Sequence, residues 1–209
     1  MKTYGLIGYR LGHSFSRRFF TEKFAQENLS DCEYVNFELD SMSEFPGIFN
    51  RDKTICGLNC TIPYKQEIMP YLDEIDEEAA AIGAVNTVKI INTDGQQKLK
   101  GYNTDLYGFE HSLRPMLEEK HRKALILGTG GASKAVKFFF DKAGIDYLSA
   151  STKADLGEKE IGYAHLDAAL MQSHLIVVNA TPLGMFPKVD ACPDIPYEFV
   201  TPDHILYDL

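Results

Sequence analysis

A two-part α/β protein is predicted by three observations. Short apolar runs alternate with longer amphipathic stretches along the whole chain. An Asp-Gly pair separates two strand-like runs near residue 94, and a glycine-rich turn at residues 128–131 follows an apolar strand and opens a helix. Such alternation builds sheets covered by helices, with parallel strands where a helix joins them. The first part is read as residues 1–103 and the second as residues 104–209, with a linking helix shared between them.

In the first part, Tyr4–Gly8, Tyr34–Leu39 and Ile55–Thr61 have the length and apolar content of strands. Helical periodicity marks Ser16–Asn28, Ser41–Asn50 and Asp73–Ile82. Val88–Ile91 and Leu99–Tyr102 flank Asn92-Thr-Asp-Gly95, a tight-turn signal that predicts a hairpin. The linking helix is expected from about Thr104 to Glu119. In the second part, strands are expected at Lys123–Leu127, Ile145–Ala150, His174–Asn179 and His204–Leu209. Helices are expected at Ala132–Ala143 and Leu166–Met171.

Composition narrows the function. A net charge of −9 argues against a general nucleic-acid binder, which carries a basic patch. No apolar run approaches the roughly 20 residues of a membrane helix. The amino-terminal residues lack the length and cleavage site of a secretory signal, so a cytoplasmic location is expected. The four cysteines, at 32, 56, 60 and 192, form no CxxC pair, and no histidine pair has metal-ligand spacing. Buried free thiols and no metal are the expectation.

Within Lys123–Ser133, the order is strand, turn, helix. Gly128 permits a sharp turn, Gly130 lets backbone approach a pyrophosphate, and helix amides from Gly131 onward meet its charge. Gly128, Thr129, Gly130, Gly131 and Ala132 are therefore candidate dinucleotide ligands; a turn kept tight for packing alone is the alternative. The next strand should end beside the adenosine ribose, where an acidic residue favours NAD. Here stand Ser151, Thr152 and Lys153, which suit a 2′-phosphate and tilt the expectation to NADP, with NAD as the alternative. Asn179, Ala180 and Thr181 follow a later strand whose carboxyl end should face the same cleft, unless Pro182 and Gly184 simply make a turn.

The candidate reaction centre lies in two short segments. Along Ile55–Thr61, strand alternation places Asn59 and Thr61 on a cleft-facing side and Cys56, Leu58 and Cys60 on a core side. Pro63 fits the first turn of a helix, which puts Lys65 at that helix's amino end. The backbone dipole disfavours a cation there and so favours proton exchange near neutral pH; a solvated surface lysine is the plainer alternative. Asp105 sits in the first turn of the linking helix, capped by Asn103 or Thr104, where the dipole favours a carboxylate. Capping alone also accounts for it. Ser14 and Ser16 offer paired hydroxyls that suit a carboxylate or polyol, and equally a helix cap. His13 suits packing better than catalysis.

Six segments recur here in order. They are Gly8-Tyr with His13-Ser-Phe-Ser16, Gly57-Leu-Asn-Cys-Thr-Ile-Pro-Tyr-Lys65, Ile82-Gly-Ala-Val-Asn-Thr87, Gly101-Tyr-Asn-Thr-Asp105, Gly128-Thr-Gly-Gly-Ala132, and Asn179-Ala-Thr-Pro-Leu-Gly-Met185. Together they resemble shikimate dehydrogenase, from Tyr4 to the end of the chain. The resemblance implies an amino-terminal substrate-binding α/β domain followed by a Rossmann-like NAD(P)-binding domain. It implies NADPH-dependent reduction of 3-dehydroshikimate to shikimate, in aromatic amino-acid biosynthesis, by a monomer or homodimer. Carried over by position, Ser14 and Ser16 would bind the substrate carboxylate. Thr61, Asn86 and Asp105 would hold ring hydroxyls, Asn59 would line the pocket, and Lys65 would transfer the proton with help from Asp105.

The chain departs from the family pattern in three places. Arg17 replaces a proline and Phe20 stands near a usual histidine. The family's Asn-Arg-Thr gives way to Ala150-Ser-Thr-Lys153, leaving Lys153 as the substitute contact for a 2′-phosphate. Members of the family also continue beyond the position of Leu209, so the second domain is expected to be truncated. A quinate- or NAD-preferring relative, and a fragment that binds ligand without turnover, are the alternative expectations.

Overall fold

The structure, a computed structural model, describes residues 1–12, 14–93, 96–186 and 189–209, with Thr93 described by its backbone alone. The chain divides into two compact units, Met1–Thr104 and Asp105–Leu209.

The first unit is a six-stranded mixed sheet. Its strands are β1 (Lys2–Gly8), β2 (Cys32–Glu38), β3 (Ile55–Cys60), β4 (Glu74–Ile75), β5 (Thr87–Thr93) and β6 (Gln96–Tyr102), in the order β2-β1-β3-β5-β6-β4. β1 runs parallel to β2 and β3, whereas β5 is antiparallel to both of its neighbours, β3 and β6. The tips Thr93 and Gln96 pair as a hairpin requires, and the expected Asp94-Gly95 turn lies outside the described residues, as does His13.

Both faces of this sheet are apolar. Ile7, Leu58 and Val88 join Phe45 and Ile48 of α2 (Phe45–Arg51) and Ala79 of α3 (Glu77–Ile82) in the main core. Leu6 and Tyr34 face the other way, against Phe20 and Phe24 of α1 (Phe15–Gln26). Adjacent residues Leu6 and Ile7 thus serve opposite faces, as the two-residue period of a strand dictates.

Two expected helix starts move in this unit. The stretch before Phe45 is a single 3-10 turn, Met42–Glu44, closed by a Ser41–Glu44 capping box. The helix expected from Asp73 begins only at Glu77. Asp73 N donates to Leu99 O and the Asp73 carboxylate accepts the Leu99 N–H, while Asp76 N donates to Gly101 O. Residues 73–76 are therefore stitched to β6, and Glu74–Ile75 become β4. Asp76 then caps α3 through the Glu78 N–H.

The cysteines also need correction. Only Cys60 is buried; Cys32 and Cys56 are partly exposed and Cys192 is exposed, though all four are free. The register of β3 on β1 shifts beside Thr3 and Tyr4, so Thr3 pairs with Ile55 and Tyr4 with Gly57. That irregularity breaks the alternation, seats Ile55 in the core and turns Cys56 out of it.

The second unit is an all-parallel five-stranded sheet. β7 (Lys123–Leu127), β8 (Asp146–Ser151), β9 (Glu160–Gly162), β10 (Ile176–Asn179) and β11 (Ile205–Asp208) lie in the order β11-β10-β7-β8-β9. Helices α4 (Asp105–Leu113), α5 (Gly131–Ala143) and α6 (Ala168–Ser173) flank it. β7 is central and reads Lys-Ala-Leu-Ile-Leu, with every residue after the lysine buried, as a strand covered on both faces demands. Leu125 and Leu127 pack with Met171 and Val177, while Phe109 of α4 meets Phe139 and Phe140 of α5 edge-on.

The helix expected to reach Glu119 ends at Leu113, and a 3-10 turn over Arg114–Met116 follows. Pro115 has no N–H for a continuing helix, which forces the change. β9 was absent from the sequence reading, because three residues carry too little periodicity to register. Among the described residues no helix is long and apolar enough to cross a membrane.

Candidate active site

In the first unit, the polar candidates gather at one edge of the sheet. β1 and β3 end there, and β5, antiparallel to β3, begins there. Ser14 follows β1 at the N-cap position of α1, in extended conformation, but its side chain does not cap the helix. Its hydroxyl is buried and finds no partner among the described residues. Buried hydroxyls are nearly always satisfied, so this one is available to a ligand. Ser14 opens onto a cavity of about 850 Å³ that also presents Arg17, Arg18 and Asn36.

Burial governs the Tyr34 hydroxyl, with the Ser16 side chain a smaller opposing influence on it. From there a line of hydrogen bonds crosses the sheet edge. Tyr34 Oη donates to Asn59 Oδ1 at 2.8 Å, Asn59 Nδ2 to Thr87 Oγ1 at 3.3 Å, and Thr87 Oγ1 to Asn86 Oδ1 at 3.0 Å. Asn86 Nδ2 donates to Thr104 Oγ1 at 3.0 Å, and Thr104 N returns a bond to Asn86 Oδ1 at 2.9 Å. Two candidates, Asn59 and Asn86, are thereby joined. Tyr34 and Thr87 were not singled out from sequence, although Thr87 lies inside a recurring segment, and Thr104 was read only as a possible helix cap. Burial pushes the Tyr34 hydroxyl up to about 12.

Thr61 is close by. Its N–H donates to Ile7 O, and a β-carbon built on Gly8 would stand 2.7 Å from Thr61 Cγ2. Lys65 does not sit at a helix terminus as expected. Residues 62–68 form successive turns, with a cis peptide at Ile62–Pro63. The Lys65 carbonyl accepts from Val85 N at 2.7 Å, so it is not available to Met69, whose N–H bonds to Gln66 O instead. No helix propagates, and the dipole argument for Lys65 falls away. The same bond places Lys65 beside Val85, next in sequence to Asn86. Asp105 is the first residue of α4 and belongs to the second unit, as an acidic first-turn residue.

In the second unit, the strand order reverses between β7 and β10, which is where α/β sheets open a crevice at their carboxyl ends. Gly128 has φ +100°, and a β-carbon there would stand 2.9 Å from Thr181 Cγ2. Gly128 N donates to Ala150 O, and Ala180 N to Leu127 O, which ties the loops after β7, β8 and β10 together. Thr129 follows Gly128 in the turn. Gly130 is the N-cap of α5, with Ala132 in its first turn. A β-carbon at Gly130 or Gly131 would meet nothing within 4 Å. Those two glycines border open space at the amino end of a thirteen-residue helix, a fit for a pyrophosphate.

The remaining candidates differ in exposure. Ser151 is buried and accepts from Lys153 N at 3.2 Å, so it shapes the turn that presents exposed Thr152 and Lys153. Lys137 was missed from sequence. Its ammonium is held below the usual lysine range by burial, with Lys153 and Lys134 adding like charge against an opposing pull from Glu160. The available signal was the i, i+3 spacing of Lys134 and Lys137 directly after the glycine turn. Asn179 spends its amide on protein partners: Nδ2 reaches Asp208 Oδ1 and Leu183 O, and Oδ1 takes the Thr181 N–H and hydroxyl.

A parallel sheet in this order, with a glycine turn at its switch point, defines a Rossmann-type nucleotide-binding α/β protein. Residues 6–88 match the family described as the shikimate dehydrogenase substrate binding domain. The NADP(+) shikimate dehydrogenase of Desulforamulus reducens is 34% identical across 98% of this chain and 75% of its own length. A solved shikimate dehydrogenase from Aquifex aeolicus superposes with a TM-score of 0.81 at 31% identity, over 100% of this chain and 78% of that one. A quinate dehydrogenase from Corynebacterium glutamicum, solved with NAD, gives a TM-score of 0.81 at 26% identity, over 99% of this chain and 79% of that one. The chain belongs to the shikimate dehydrogenase family.

Proposed function

We propose that this chain is an NADP-linked oxidoreductase that interconverts 3-dehydroshikimate and shikimate. The observation that carries the reading is positional. The match to the substrate-binding domain spans Ser14, Ser16, Asn59, Thr61, Lys65 and Asn86, and these residues border one edge of the first unit's sheet. The buried, unpartnered Ser14 hydroxyl supports an anionic or hydroxylated ligand there.

On this reading Ser14 and Ser16 bind the substrate carboxylate; of the two arginines lining the cavity, Arg18 is already paired with Glu22. Thr61, Asn86 and Asp105 bind ring hydroxyls, and Asn59 lines the pocket. Lys65 holds the proton of the reacting hydroxyl: its amine accepts that proton when the alcohol is oxidised and returns it to the oxygen on reduction. Asp105 stabilises the lysine's charged form. Gly128, Thr129, Gly130, Gly131 and Ala132 hold the cofactor pyrophosphate, while Thr152 and Lys153, on a turn set by Ser151, meet the 2′-phosphate. Asn179, Ala180 and Thr181 shape the loop that closes on Gly128. When bound, the nicotinamide takes up or supplies hydride at the carbon bearing the hydroxyl.

The reading implies a cytoplasmic enzyme, monomeric or homodimeric, whose ligands are small molecules. The likeness to an NAD-bound quinate dehydrogenase favours one second reading, quinate oxidation with NAD. The test is a spectrophotometric assay of shikimate and quinate oxidation, each with NADP and NAD. Shikimate with NADP is expected to be the best pair; a preference for quinate with NAD would select the second reading. Shikimate that shifts the melting temperature without any cofactor reduction would identify a ligand-binding chain without turnover.

A further inference from the structure

We infer that Tyr34 is a positioning residue for the substrate pocket, setting the orientation of the Asn59 amide and, through Thr87, one of the protons that Asn86 accepts. The inference rests on the pocket proposed above and goes beyond it, since Tyr34 and Thr87 have no assigned place there.

The direction of the line follows from counting protons. A phenol has one proton to give, and a carboxamide oxygen can only accept. Tyr34 Oη lies 2.8 Å from Asn59 Oδ1, so its proton goes to Asn59. With its oxygen held, the Asn59 amide turns its NH₂ to Thr87 Oγ1, and Thr87 gives its own proton to Asn86 Oδ1. Asn86 Nδ2 passes the sequence on to Thr104 Oγ1. The Tyr34 proton thus fixes the donors through Asn59 and Thr87, while the Thr104 N–H independently holds Asn86 Oδ1.

Local packing holds Tyr34 in that role. The residue is 5% exposed, and Phe20 stacks on its ring at 4.6 Å with the planes 14° apart. Because burial raises its ionisation to about 12, the phenol remains a donor throughout the working range. Remove the hydroxyl and Asn59 loses the group that distinguishes its oxygen from its nitrogen. A flipped Asn59 amide would accept the Thr87 proton and withdraw it from Asn86. The line runs through Asn59, which lines the proposed pocket, to Asn86, a proposed ring-hydroxyl ligand, so one phenol sets part of the pocket's polar wall.

The test is calorimetric titration of shikimate and of NADP into the 209-residue chain and its Tyr34→Phe, Thr87→Val and double variants, with melting temperatures recorded. Each single change is expected to weaken shikimate binding about tenfold, the scale of a lost buried hydrogen bond. The double variant should bind within about twofold of the weaker single variant, because both act on one amide. Thr87→Ser, which keeps the hydroxyl, should recover most of the affinity lost in the isosteric Thr87→Val. NADP affinity should stay within about twofold of the parent, a discrimination that general loosening of the fold would not produce. The inference is overturned if Tyr34→Phe binds shikimate as the parent does, if the two losses multiply, or if both ligands weaken in step with the melting temperature. A parent chain that shows no shikimate binding would instead overturn the functional reading, and this inference with it.

Discussion

Gly128 and Thr181 stand in a contact that admits no side chain at the glycine. A β-carbon on Gly128 would lie 2.9 Å from Thr181 Cγ2 and 3.2 Å from Ala180 O, and its φ of +100° is one that L side chains rarely adopt. Gly130, two residues on, has φ −78° and nothing within 4 Å of the same construction. The two glycines therefore fail differently when replaced. Gly128→Ala is expected to lower stability by about 1–3 kcal/mol, the cost of a strained backbone position. Gly130→Ala should leave the melting temperature alone and weaken NADP binding about tenfold or more, because the added methyl occupies the space assigned to the pyrophosphate. Thermal melts with and without NADP separate the two. Equal effects from both variants would contradict the assignment of that space.

Lys65 carries the proton transfer in the proposed reaction. Lys65→Ala is expected to reduce turnover by about 10²-fold or more, the usual scale for a positioned acid–base group. Shikimate binding should fall much less, since Ser14, Ser16, Thr61 and Asn86 remain. Steady-state kinetics beside a direct binding measurement distinguish these effects. Turnover that survives the substitution intact would remove Lys65 from the mechanism.

Cofactor choice turns on an exposed lysine. Lys153 follows the Ser151 turn, and Lys134 and Lys137 are within electrostatic reach of one another and of it. No acidic residue stands at the end of β8 to take a ribose hydroxyl. Lys153→Ala should raise the KM for NADP about tenfold, the loss of a charge-assisted hydrogen bond, and leave the KM for NAD unchanged. Parallel titrations of the two cofactors measure the ratio. A matching rise for NAD would show that Lys153 serves the whole dinucleotide rather than its 2′-phosphate.

Much of this was legible in the sequence, for physical reasons. β7 is read without difficulty because four consecutive apolar residues before a glycine turn have few alternatives, and α5 because its apolar face recurs at helical spacing. The failures share a cause: a distant partner overrode a local preference. Lys65 was placed on a helix because Pro63 suits a first helical turn, but Val85 N takes the carbonyl that the helix needs. Residues 73–76 have helical composition, yet Leu99 and Gly101 claim their backbone. Cys56 was assigned to the core by alternation that a register shift interrupts. Tyr34 escaped notice because its role depends on Asn59, twenty-five residues away, and no spacing rule within β2 reports such a bond.

Two buried acids in the first unit contribute most strongly to its alkaline sensitivity. Burial pushes the Cys60 thiol from 9.0 to about 12 and the Tyr34 hydroxyl from 10.0 to about 12. Both groups stay protonated in the folded chain at a pH where the unfolded chain has already lost those protons. Between pH 9 and 12 the folded state binds more protons, so the slope of unfolding free energy against pH is negative. Stability is intact below pH 9 and is lost as pH rises, first through Cys60 and then also through Tyr34. Cys60 alone contributes a loss of about 1.4 kcal/mol per pH unit once its unfolded thiol has ionised. Urea unfolding followed by far-UV circular dichroism between pH 7 and 10.5 should show a flat stability profile that bends downward above pH 9. Cys60→Ala should start lower from the lost packing and bend about one pH unit later, where Tyr34 takes over. A Cys60→Ala profile that bends at the parent's pH would mean that another group controls the alkaline limb.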